Sequence, residues 1–150
     1  MEDVKIDPKA AVQSHRRQAA LSKELQATMA EMTARQWSLV VEADPSRIGA
    51  AEQERQAREN AEIQRAEADA MHKLAGTKPE EVQDQVLINL KGNLAYFESR
   101  FLGAKDAEDH PEAYGSNSGQ EPVVIAESGL KALKETIEKV EGVRQKKGKK

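Results

Sequence analysis

Histidines, carboxylates and clustered basic residues are the side chains of this sequence that could do chemistry, and their spacing decides how much. His15, His72 and His110 lie far apart with no partner at a metal-ligand spacing, so no zinc site is expected and each is read as a surface residue. The carboxylates of Glu108-Asp-His-Pro-Glu112 lack the spacing of a calcium-binding loop. The glycines of residues 115–119, GSNSG, lack the lysine and the flanking strand and helix of a phosphate-cradling loop. No local signature of a nucleophilic serine occurs, and there is no cysteine. No catalytic residue, metal ligand or cofactor is therefore assigned, and the chain is expected not to be an enzyme.

What remains is charge. Arg144, Lys146, Lys147, Lys149 and Lys150 crowd the C-terminus, and Arg16 and Arg17 follow His15 near the front. Clustered Lys and Arg attract phosphates without regard to sequence, so these seven residues are the candidate DNA-binding set. The formal charge of −3 conceals their segregation: residues 103–122 hold one basic and five acidic side chains, residues 123–150 eight basic and four acidic. Trp37 sits among apolar residues and reads as an anchor of helix packing rather than a base-stacking platform.

The elements that position these residues are helices. Of 150 residues, 33% are charged, 38% apolar and only 3% aromatic, a composition that long packed helices or coiled coils use. So few large side chains bury little area in one copy, and association of several copies would add the missing burial, so a homo-oligomer is expected. No apolar run approaches the length of a membrane helix and the first ten residues carry no apolar signal core, so the expected location is the cytoplasm, that of the host if the protein is viral, with no membrane partner.

In chain order, residues 1–8 read as a flexible arm and residues 9–75 as a long helical hairpin. Asp44, Pro45 and Ser46 break the hairpin, with Ser46 as the cap of its second helix. That second helix is polar almost all round, and its many alanines would allow close approach of the first. Residues 77–102 read as a central amphipathic core helix capped by Thr77 and stopped by Gly103. Its stripe of Val82, Val86, Leu90, Leu94, Phe97 and Phe101 steps at helical spacing. Residues 103–121 read as a flexible acidic loop with one helical turn around Ala104 to Asp109. Residues 122–143 read as a short strand at Pro122 to Ile125, a break at Glu127 to Gly129, and a final helix whose Leu130, Leu133, Ile137 and Val140 follow coiled-coil spacing. Residues 144–150 read as a disordered basic tail. The fold class is all-α with one short strand, and the two apolar stripes are the candidate oligomerisation residues.

Residues 93–125 resemble the later part of small terminase subunits of tailed phages. In that family a core helix with an aromatic-rich end leads into a Pro-x-x-Tyr-Gly or Pro-x-x-Trp turn, a Gly-rich linker and a short strand. The matching residues are Tyr96, Phe97, Phe101, Pro111, Tyr114, Gly115 and Val123 to Ile125, about a fifth of the chain. The resemblance implies a non-catalytic DNA-packaging recognition subunit, a homo-oligomeric ring that binds double-stranded DNA and assists a separate motor ATPase, the large subunit. The front of the chain departs from the family, because residues 1–75 show no compact helix-turn-helix pattern. The alternatives are a phage structural protein (scaffold, internal virion or connector protein meeting a capsid or portal partner) and a helical adaptor or chaperone that presents the central helix, with Phe97 and Phe101, to a partner.

Overall fold

The structure is a computed structural model that describes residues 7–115 and 121–148, with side chains as far as Val143. It is all helical, with no strand among the described residues. Helix α1 spans Pro8–Ala43. Asp7 caps it by accepting the Lys9 amide at 3.0 Å, and Pro8 takes the first helical position, where a missing N–H costs nothing. Helix α2, Ala50–Ala75, returns along it. The cap expected at Ser46 falls instead at Gly49, whose φ of 83° few other residues adopt without strain, while the Ser46 hydroxyl donates to Asp44. Gly76 closes α2 in a left-handed conformation that lets the Thr77 amide reach the His72 carbonyl at 3.0 Å. Ala20 and Ala27 of α1 and Ala61, Ala68 and Ala75 of α2 are buried in the seam, so the interface of the hairpin is built largely of methyl groups.

The single central helix expected over 77–102 is broken. A 3-10 turn at Pro79–Val82 leads into α3, Gln83–Gly92, and α4 follows as Leu94–Asp109. Thr77 does not cap it, because its hydroxyl is engaged by His72 Nδ1 at 2.8 Å. Lys78, preceding a proline, is held extended. The second interruption follows from Gly92, a poor helix former, and from Asn93, whose amide group donates to the Asn89 carbonyl at 2.8 Å. Gly103 does not stop α4, which runs on until His110 meets Pro111. Most of the stretch expected as a loop is thus ordered: a 3-10 turn follows at Pro111–Ala113, and the Tyr114 hydroxyl donates to Asp106 at 2.6 Å.

The expected strand is also helix. Helix α5 spans Val123–Gly148, and the Pro122 carbonyl accepts from Ile125 and Ala126 at 3.1 and 3.2 Å as in any first turn. The β-branched run Val123 to Ile125 is outweighed by the packing of the helix it begins. The break expected at Glu127 to Gly129 is absent because Ser128 and Gly129 are needed inside: they are buried against α1. A Cβ at Gly129 would lie 3.0 Å from Gln36 Nε2, which itself donates to the Ile125 carbonyl at 3.2 Å. The basic segment expected to be disordered continues α5 as far as Gly148, and residues 149–150 lie outside the described residues. So do residues 1–6, most of the expected flexible arm, and residues 116–120 of the loop.

Chain contacts set the arrangement. Helix α5 runs antiparallel to α1, with Val124 beside Leu39 and Ala43 at one end and Lys139 and Val140 beside Glu24 and Thr28 further along. Helix α4 runs antiparallel to α5, with Phe97 beside Gly129 and Arg100 bonded to Glu121 at 2.6 to 3.0 Å, while α3 lies against the C-terminal half of α5, Gln83 sharing a cleft with Glu135 and Val140 and Lys91 bonded to Glu141 at 2.7 Å. The order across the molecule is α2, α1, α5, α4, with α3 bridging α1 and α5. The core lies between the last four of these helices: Met32 and Leu39 of α1, Val86, Leu87 and Leu90 of α3, and Leu133, Ile137 and Val140 of α5.

Candidate nucleic-acid interface and buried ionic cluster

Arg16 and Arg17 are exposed near the start of α1. The antiparallel register carries the last turns of α5 back alongside that same start, because residue 140 already stands beside residues 24 and 28 and each further residue advances about 1.5 Å. Residues 144, 146 and 147 fall in those turns; their side chains, and Lys149 and Lys150 entirely, lie outside the described residues. The two basic clusters, remote in sequence, therefore share one end of the molecule. The exposed Lys9, in the first turn of α1, and Lys73, in the last turn of the returning α2, are on that side too. Sequence reasoning missed these two lysines, since only the hairpin fold brings them there. The opposite end holds Glu42, Asp44, Glu52, Glu108, Asp109 and Glu112, of which Asp44 and Glu52 are paired with Arg47 and Arg55.

The candidate oligomerisation residues are enclosed within one chain. Val86, Leu90, Leu130, Leu133, Ile137 and Val140 are all below a tenth exposed, and Val82, Leu94 and Phe97 pack against the same core. Phe101 is half-buried. The physical reason is that α3, α4, α5 and the C-terminal half of α1 together supply enough surface to cover most of both stripes. The large apolar side chains that remain exposed among the described residues are others: Val12 on α1, Ile48 in the turn, Ile63 and Leu74 on α2, Ile88, Tyr96 and Leu102 on α3 and α4, and Val143 on α5.

Sequence reasoning also missed a polar cluster inside the hairpin. Glu24 lies in the alanine seam of α1, 2% exposed. Its carboxylate accepts from an Arg65 Nη at 2.7 and 2.8 Å and from Thr28 at 3.3 Å, and faces His72 Nε2 at 3.0 Å. His72, expected at the surface, is 2% exposed, and its other ring nitrogen meets Thr77. Arg65 also donates to Glu31, and Lys23 pairs with Glu67 nearby. Burial works against the Arg65 charge, but the hydrogen bonds to Glu31 and Glu24 outweigh it and hold the guanidinium above its ordinary value. A signal existed: Glu24, four residues after Ala20 and three before Ala27, shares their face of α1, and folding the hairpin about residues 44–49 sets it opposite Ala68 and His72 of α2. His15 is exposed, and His110 stands 3.5 Å from Glu112 on the surface. Trp37 is half-buried on α1.

A cleft of about 360 Å³ opens beside this cluster, walled by Arg35, Gln83, Glu135 and Lys139. Its charges are largely paired: Arg35 holds Glu135 at 2.8 Å, and that hydrogen bond keeps the Glu135 carboxyl below its ordinary value. The arrangement neutralises charge at the junction of α1, α2 and α5 and fixes their register.

Compared with family models, curated proteins and solved structures, the chain matches none. No helix among the described residues is long and apolar enough to cross a membrane.

Proposed function

We propose that the chain is a non-catalytic, self-associating DNA-recognition subunit of the small-terminase kind, which meets the phosphate backbone with its basic end and serves a motor carried by another protein. The observation that supports this most is the antiparallel path of α5, which sets residues 144–147 at the end of the molecule where Arg16 and Arg17 are exposed. Neither cluster would neutralise many phosphates alone, and two at one end of the molecule would neutralise more. The terminase part of the proposal rests on the aromatic helix and the Pro111 to Gly115 turn, since the strand of the resembled pattern is helical here.

The test is binding of fluorescent duplex DNA across a salt series. Each phosphate neutralised contributes about 0.9 to the slope of log K against log salt, so Arg16→Ala with Arg17→Ala, and removal of residues 144–150, should each weaken binding and flatten the slope. No affinity at low salt, or a slope unchanged by both variants, overturns the proposal. The second reading, a phage structural or adaptor protein acting through protein contacts, draws on the exposed Tyr96 and Leu102 of α4. It predicts co-assembly with a shell or portal protein and no DNA affinity. The version of that reading which presents Phe97 and Phe101 would use two half-buried side chains of α4, of which Phe97 packs against the core.

A further inference from the structure

We draw no further inference here: the strongest candidate, the uncharged trough between α1, α2 and α3 lined by Leu25, Met29, Ala57 and Asn60, carries nothing because nothing in the structure shows what covers it.

Discussion

Replacing Glu24 with alanine should destabilise the protein by about 3 kcal/mol. Breaking a buried ion pair by removing one partner costs about 3–5 kcal/mol when the other charge is stranded. Here Arg65 is not stranded, because it keeps Glu31 and its side chain is 28% exposed. What Arg65 loses is its charge-assisted bonding to Glu24, worth about 1.5–3 kcal/mol. His72, with a side chain 3% exposed, loses the partner of Nε2 and adds about 1 kcal/mol. Urea unfolding followed by circular dichroism measures the sum, and the m-value checks that unfolding stays two-state. Glu31→Ala is the control: its carboxylate touches the same guanidinium but is 43% exposed, so its removal should cost less than about 1 kcal/mol. Equal effects of the two substitutions, or a Glu24→Ala loss below about 1 kcal/mol, would refute the claim that burial gives this cluster its strength.

Four further outcomes are expected. Leu90→Ala should cost about 2–5 kcal/mol in the same unfolding assay, since Leu90 is 1% exposed at the centre of the core, and Leu90→Asp should prevent folding of the single chain. Gly92→Ala should add about 0.5–1 kcal/mol, because Gly92 ends α3 with open space around its Cβ position and an ordinary φ. Gly129→Leu should instead lose stability and detach the α5 face from Gln36, seen as reduced protection of α5 amides in hydrogen exchange, because a Cβ alone already reaches 3.0 Å from the Gln36 amide. Glu135 has its carboxyl lowered from 4.5 by the hydrogen bond to Arg35, so the stability it contributes is present above the unfolded value of 4.5 and is lost as pH falls through the lower folded value. The difference between the unaltered protein and Glu135→Gln, at most about 1 kcal/mol for so exposed a pair, should therefore vanish in acid titrations of stability.

Periodicity made the helices legible and left their punctuation obscure. The hairpin over residues 9–75 could be read because Asp44-Pro45 and Gly76 break an otherwise uninterrupted helical composition. The stripes at 82–101 and 130–140 were legible as apolar faces, yet not as a core within one chain, since spacing says which residues turn inward and nothing about whether the cover comes from the same molecule. Pro122-Val-Val-Ile misled because three β-branched residues carry a local strand preference worth less than the burial of Ala126, Leu130 and Leu133 on one continued helix. Gly103 and Gly129 misled for a related reason: a glycine in a helix can mark a stop or a close approach, and only the neighbouring helix distinguishes them. Of the candidate site, the basic residues were legible as charge, but their meeting at one end depends on the direction of α5, which a strand at 122–125 would have left open.

The alanine seam and the ionic cluster are two parts of one solution. A seam of methyl groups lets α1 and α2 approach closely, but it is nearly degenerate: sliding one helix by a heptad sets alanine against alanine again, with little area gained or lost to discriminate. Ala20 and Ala27, one heptad apart, and Ala61, Ala68 and Ala75, each one heptad apart, present that ambiguity directly. Glu24 discriminates in part. In the observed register its carboxylate meets both Arg65 and His72 of α2, one heptad apart, while a slip of seven residues, about 10 Å, puts one of that pair in the other's place and forfeits the second, with Thr28 on the same helix as Glu24 unaffected. Removing all three groups at once, Glu24→Leu with Arg65→Leu and His72→Leu, should then preserve or raise stability, as apolar replacements of buried ion pairs do, while loosening the register. That loosening would carry Gly76 away from the Gln13 side chain now bonded to the Ala75 carbonyl, and with it the start of α3 and the basic end of the molecule. A double-mutant cycle on Glu24 and Arg65 that returned no coupling energy would show the register to be set by the turn at residues 44–49 alone.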